Sequence, residues 1–494
     1  TPGADLVSPQ NVAEMDLGRA ALLLAREQRP GLDVDAYQRR LAAMGAELGP
    51  VLARQSNGQR RLEAMGEYLY GVQGYGAHDV LPATAFVRFD EVIDKKQWNC
   101  VGLSLLYVAL GERLELPLRL VSGPGHVLVQ YDEGANALYI ETTQGGRVFR
   151  NKDYVLEYLP FPCLELDEFR ALDKSESLSM LLLQLANVRI EGGAMGEAMT
   201  LCQRALAFNG THGEVYYAMG LIHSRQNQPQ QAMAAFDKAI NLNPGLNEAY
   251  AGLANAFHAA RNLPQAIRTL ESATQQCPED PVAQYNLGQI LYEAGEYEHA
   301  ADAFRTYTRL QPKDPDGYLR LAFVLEDMEQ TAAAIAAYRT VLELAPDHRD
   351  VRYNLGLLFS QTGRFTEAAG MFQETVDRWP DDANAWGQLG ATHLMLKSPE
   401  SAVAALRKAT ALAPGDRDNW RDLGQAWLDA SRPAEAVDAF KKYTAIAPND
   451  AEGYRMLAQA LEAAGDAISA AEARKRAMDL EAIQPTADDG AEKY

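Results

Sequence analysis

A nucleophilic thiol site is built from a cysteine, a histidine and an acid, and one of each falls in order across the first third of this chain: Cys100, His126 and Glu141. The thiolate attacks, not the thiol, so such a site must lower the proton affinity of sulfur. Cys100 follows Asn99, a good N-cap residue. It also opens the apolar run Cys100-Val101-Gly102-Leu103-Ser104-Leu105-Leu106-Tyr107-Val108-Ala109-Leu110, which predicts a buried helix. Partial positive charge at a helix N-terminus favours thiolate. A nearby imidazole completes the activation, and a carboxylate fixes its tautomer. Trp98 would wall the site together with Asn99, and the Cys100 backbone N–H would help to bind an oxyanion.

The other two members require a hairpin. His126 to Tyr131 and Ala137 to Thr143 alternate as strands do, joined through Asp132-Glu133-Gly134-Ala135-Asn136. Folding about the Glu133–Gly134 bond sets His126 opposite Glu141, Val127 opposite Ile140 and Leu128 opposite Tyr139. Directly opposed residues have Cβ atoms about 5 Å apart, near enough for a carboxylate to orient an imidazole. Upstream, helices are expected from Ser8-Pro9 onward, over Asp33 to Leu48 and over Gln59 to Val72. The third ends in the glycine-rich Gly74-Tyr75-Gly76, with His78 and Asp79 beyond.

From residue 179 the pattern changes to a strict period. Prolines stand at 244, 278, 312, 346, 380, 414 and 448, each 34 residues after the last, and alanines at 198, 232, 266, 300, 334, 368, 402, 436 and 470 keep the same interval. Gly220, Gly288, Gly356, Gly390 and Gly424 hold a third phase, with Ala254, Ala322 and Ala458 between them. Each unit reads as a helix pair. The small residue of helix A lets helix B approach, Phe236, Phe304, Phe372 and Phe440 fill the space, and proline ends helix B. Nine units start at 179, 213, 247, 281, 315, 349, 383, 417 and 451. The first and last are degenerate, as terminal caps are.

Both regions resemble known families. Tyr285-Asn286-Leu287-Gly288-Gln289-Ile290-Leu291-Tyr292, with the alanine and proline columns, is similar to the tetratricopeptide repeat (TPR). That resemblance implies an all-α superhelical solenoid binding a protein or peptide in its concave groove. Candidate groove residues are Tyr217, Asn255, His258, Tyr285, Asn286, Gln289, Arg320, Tyr353, Asn354, Arg421 and Gln425. No unit has the Lys and Asn pair with which relatives of this kind clamp a chaperone tail. In the first 165 residues, a Cys opening a helix, a His opening a strand and an acid on the next resemble the transglutaminase-like superfamily of papain-related α+β folds. Asn99-Cys100-Val101-Gly102, Leu116-Pro117-Leu118, Pro124-Gly125-His126-Val127 and Ile140-Glu141-Thr142-Thr143 look like its bacterial SirB-type branch, many members of which lack the cysteine. Glu141 stands where the superfamily more usually has Asp.

The domains expected are 1–165, a connector over 166–178, repeats over 179–484 and an acidic, disordered tail over 485–494. A formal net charge of -21 argues against a nucleic-acid partner, and no apolar run of about 18 residues predicts a membrane span. No dinucleotide, phosphate-loop or metal-ligand spacing appears, so no cofactor is expected. Four cysteines exclude a disulfide scaffold; Cys202 and Cys277 read as packing residues, and Cys163 falls at the domain edge. A start at Thr1 is what removal of an export signal would leave, giving an extracytoplasmic, periplasmic expectation; trimming of a cytoplasmic chain would leave the same. Two functions follow. One is a thiol-dependent protease, amidase or acyltransferase whose repeats deliver a protein to Cys100. The other is a non-catalytic scaffold in which both domains only bind partners.

Overall fold

The computed structural model describes residues 7–77, 88–123, 125–134, 137–150 and 169–483, which form two compact units, Thr1–Leu310 and Gln311–Tyr494. In the first unit helices α1 (Leu17–Gln28), α2 (Val34–Ala53), α3 (Gly58–Gly66), α4 (Phe89–Lys95) and α5 (Cys100–Arg113) accompany a five-stranded antiparallel sheet. Its strands are β3 (Leu118–Gly123), β4 (His126–Tyr131), β5 (Leu138–Glu141), β6 (Arg147–Phe149) and β7 (Arg170–Ala171), in the order β6-β5-β4-β3-β7. A short parallel pair, β1 (Gly76–Ala77) with β2 (Gln97–Trp98), lies just before α5. This is a mixed helix and antiparallel-sheet domain followed by paired helices.

Helix α5 is apolar all round, and every residue from Val101 to Gly111 is buried, as expected of a central helix. The core continues beyond the domain. Residues from Val7 to Ile222 form one apolar cluster that takes in the first helices of the repeat array. The helix Lys174–Glu191 begins five residues before the first predicted unit, behind an Asp173–Glu176 capping box. Lys174 Nζ donates to the Met15 carbonyl at 2.9 Å, and Arg204 forks onto the Glu27 carboxylate at 2.7 and 3.1 Å. Leu172 and Leu178, in the segment expected to be a connector, belong to this core.

In the array, helix A begins at Gly213, Asn247, Pro281, Pro315, Arg349, Ala383, Arg417 and Ala451. A Cβ on Gly220, Gly356 or Gly424 would fall 2.5, 2.7 or 2.6 Å from the ring of Phe236, Phe372 or Phe440. That close approach is why glycine and phenylalanine alternate sixteen residues apart. A second device was not read from sequence. Gln284, Arg352, Trp386 and Trp420 share one position in helix A, and each donates to the carbonyl of the proline six residues earlier at 3.1, 2.8, 2.9 and 2.9 Å. In these four units the position holds a long side chain with an N–H, whereas Tyr216, Tyr250, Tyr318 and Tyr454 fill it in the others. Cys202 is a buried free thiol, whereas Cys277 is disulfide-bonded rather than simply packed.

The turn between helices A and B repeats as well. Gly193, Asn227, Arg261, Gly295, Glu329, Gly363, Lys397, Ser431 and Gly465 recur at the same interval, all with φ between 54° and 84°. Side chains with a Cβ are strained there. Glu329→Gly is expected to stabilise the second unit by about 1 kcal/mol, read as a higher denaturant midpoint. An unchanged or lower midpoint would mean that contacts of Glu329 outweigh the relief of strain.

Candidate active site

Cys100 is the first residue of α5. Asn99 is its N-cap, in extended backbone, with Oδ1 accepting from the Gly102 N–H at 3.1 Å. The approach is fixed by the β1–β2 pair: Gly76 lies beside Gln97, and the Gly76 N–H donates to the Lys96 carbonyl at 2.8 Å. Lys96, at φ 57°, turns the chain from α4 into β2. Cys100 is a free thiol and only half-buried. It thus combines an orphan helix N-terminus with access to solvent. The side chain of Trp98, and all of His78 and Asp79, lie outside the described residues.

His126 opens β4 and Glu141 closes β5, and His126 Nε2 and Glu141 Oε2 are 2.6 Å apart. The register differs from the expected one. Val129 pairs with Ile140, Gln130 with Tyr139 and Tyr131 with Leu138, so His126 and Glu141 are not directly opposed. Gly134, at φ 78°, donates its N–H to Asp132 Oδ1 at 2.9 Å. The observed register slides the ladder by two residues relative to the expected one. An even slide keeps both residues on one side of the ladder but makes them diagonal neighbours, roughly 7–8 Å apart. The extra methylene of Glu over Asp spans that gap, which accounts for the departure from the commoner acid.

Both carboxylate oxygens are engaged. Oε2 meets the imidazole, and Oε1 accepts from the Thr143 N–H at 2.9 Å and its hydroxyl at 2.5 Å. Burial opposes charge on both groups, but pairing prevails. Glu141 is held below the usual carboxylate range by His126 and Thr143. For His126, burial lowers the pKa, yet hydrogen bonds to Cys100 and Glu141 together with their charges raise it to about 10. With Nε2 given to Glu141, Nδ1 is the nitrogen left for Cys100. Sequence reading missed Ser104, Thr142 and Tyr70, which surround this set. Ser104 is four residues after Cys100, hence on the same helix face, and Thr142 adjoins Glu141; nothing linear points to Tyr70. Among the described residues no group of three or more His, Cys, Asp or Glu could hold a metal ion, and no helix is long and apolar enough to cross a membrane.

The groove candidates lie on successive A helices. The Tyr217, Tyr285 and Tyr353 rings pack on Phe236, Phe304 and Phe372 at 5.8, 5.8 and 5.7 Å. Gln289 donates to the Tyr285 hydroxyl at 3.2 Å and Gln425 to Asp429 at 2.7 Å. His258 meets Glu293, Arg320 meets Asp316, and Arg421 meets both Asp418 and Asp422. Asn255 is exposed, and Asn286 and Asn354 are half-buried. Most of the candidate charges are thus engaged within the array itself.

Comparison with known proteins agrees with this architecture. The transglutaminase-like superfamily profile matches residues 35–160, and the tetratricopeptide repeat profile matches 217–281, 259–315, 319–383, 357–417 and 398–451. The chain is a tetratricopeptide-repeat protein with an N-terminal transglutaminase-like core domain. Its distant curated homologues include the UPF0162 proteins of Xylella fastidiosa strains Temecula1 and 9a5c. They are 29% identical over 143 residues and 28% identical over 134, matching 28% and 27% of this chain. The chain spans about half the length of these relatives, 51% and 48%. Similar solved structures include YrrB, described as a TPR protein with an unusual peptide-binding site, at 25% identity and a TM-score of 0.34 over 38% of this chain and 97% of that one. Another is MamA from Desulfovibrio magneticus RS-1, at 21% and 0.32 over 34% and 95%. A third is the C-terminal part of a TPR protein from Cytophaga hutchinsonii, at 18% and 0.41 over 49% and 98%.

The His126–Glu141 pair has a pH signature. A raised imidazole pKa stabilises the fold fully below the unfolded value of about 6.5 and loses that contribution as pH rises through about 10. The lowered Glu141 contributes above the unfolded carboxylate value and loses its share in acid. Glu141→Gln is therefore expected to be less stable than the unaltered chain near neutrality, with the difference narrowing above pH 10 in denaturant titrations. Because the pair is diagonal, Glu141→Asp should depress the His126 titration nearly as far as Glu141→Gln. Full retention by the Asp variant would contradict the reach argument.

Proposed function

We propose that Cys100, His126 and Glu141 form a thiol site for acyl transfer or amide hydrolysis on a protein partner bound by the repeats. The observation that carries this reading is the imidazole held between Cys100 and a doubly anchored carboxylate, with Cys100 only half-buried. An imidazolium that keeps its proton is the partner a thiolate requires.

In the reaction, the Cys100 thiolate adds to a carboxamide carbonyl carbon, and the oxyanion faces the Cys100 N–H at the helix N-terminus. The C–N bond breaks as His126 gives its proton to the departing nitrogen, leaving a thioester and a neutral imidazole. Water or an amine then attacks the thioester carbon. His126 takes its proton, the C–S bond breaks, and the acid or new amide leaves with Cys100 again a thiolate. Glu141 keeps the imidazole oriented and offsets its charge without itself gaining a proton. The TPR array supplies the binding surface for the protein that carries the carboxamide.

Iodoacetamide labelling of the native chain across pH 5 to 9 tests the reading. Cys100 should label rapidly below pH 7, and His126→Ala should move the onset towards the ordinary thiol value of about 8.5. Onset near that value in the unaltered chain would sink the thiol site. The scaffold reading, in which both domains only bind partners, would then take its place.

A further inference from the structure

The three members of the site sit on separate elements: a helix start, a strand start and a strand end. Something must hold those elements in one register while Cys100 remains half-open to solvent. The backbone beside all three converges on two hydroxyls. Thr142 Oγ1 donates to the Cys100 carbonyl at 3.4 Å and lies 3.1 Å from Ser104 Oγ. Ser104 Oγ in turn donates to the carbonyl of Val127, the residue after His126, at 3.4 Å. Thr142 itself follows Glu141. Ser104 and Thr142 are both fully buried, so neither hydroxyl has bulk water as an alternative partner.

We infer that Ser104 and Thr142 are positioning residues, whose hydroxyls lock the helix start bearing Cys100 to the two strands bearing His126 and Glu141. The inference rests on the thiol-site reading above and extends it to residues that touch no substrate. Two hydroxyl protons serve three contacts, so one of them is shared between the 3.1 Å bond that joins Ser104 to Thr142 and a carbonyl at 3.4 Å, and the pair acts as one unit.

A third contact anchors the group from the far side. After α3 the chain passes through a π-helical turn, Glu67–Val72, and Tyr70 within it donates to the Thr142 carbonyl at 2.5 Å. Burial pushes the Tyr70 phenol well above its ordinary value, so it keeps the proton it donates. Thr142 is thereby held at its carbonyl by α3's extension and at its hydroxyl by α5. The π turn gives the local winding a purpose, since such turns re-aim a side chain that an α-helix would carry past.

Thr142→Val keeps the shape and removes the hydroxyl, whereas Thr142→Ser keeps the hydroxyl. The full chain with labelled histidines, followed by NMR against pH, reads positioning at His126 directly, and iodoacetamide reads it at Cys100. Thr142→Val should lower the His126 titration midpoint by about one unit or more and slow Cys100 labelling near pH 6.5 about tenfold. Thr142→Ser should restore both. A purely structural role would lower the melting temperature and leave both readouts of the folded protein in place, which would overturn the inference. If Thr142→Val does not fold, Ser104→Ala carries the same expectation and the same overturning result. The two readings fail separately. Ordinary labelling in a chain whose His126 titrates high and falls in Thr142→Val removes the thiol chemistry but keeps the positioning. An unmoved His126 in folded Thr142→Val removes the positioning alone.

Discussion

The constraint on which this domain turns is the burial of an imidazole and a carboxylate together. The His126 and Glu141 side chains are only 11% and 8% exposed, and either alone at that depth would lose its charge. Both stay ionic because each satisfies the other and Thr143 takes up the remaining carboxylate oxygen. This requirement reaches outward. It needs β4 and β5 in a ladder offset by an even number of residues, an acid long enough to cross the diagonal, and a helix start close enough to present Cys100. A one-residue slip would place one partner on the opposite face and leave two unpaired buried charges.

The surroundings are rigid in the places this demands. Helix α5 has no exposed face through which to relax, and its first turn is capped by Asn99. The core that holds it extends into the first helices of the repeat array, bound by Arg204 on Glu27 and Lys174 on Met15. Within the first unit, the transglutaminase-like domain and the opening repeats are consequently one packed body rather than two modules on a linker.

The repeats show how a fixed interval tolerates variation. The glycine and phenylalanine columns are shape partners where both occur, at Gly220, Gly288, Gly356 and Gly424, whereas Gly390 meets Leu406 instead. The A–B turn needs a left-handed residue in every unit, and glycine fills it in only some of them. At the position that serves the proline carbonyl, Gln, Arg and Trp are equivalent, because each carries an N–H at the end of a long side chain. A column that looks aromatic in sequence is thus defined in part by a hydrogen bond.

By itself, the sequence determined what depends on local chemistry or on strict recurrence. The 34-residue interval announces helix pairs because stacked neighbours must meet the same packing demand in each copy. Asn99 before an apolar run announces a capped, buried helix with Cys100 at its start. The order of Cys100, His126 and Glu141 on helix, strand and strand was legible, as was the pairing of His126 with Glu141. Their diagonal offset was not, because the register is set by how the two strands pack side by side and not by the positions of the turn residues in the chain. Ser104, Thr142 and Tyr70 came only from the tertiary structure. Their roles arise from contacts across 38 and 72 residues of chain, and a hydroxyl carries no mark of its partner until folding brings the two together.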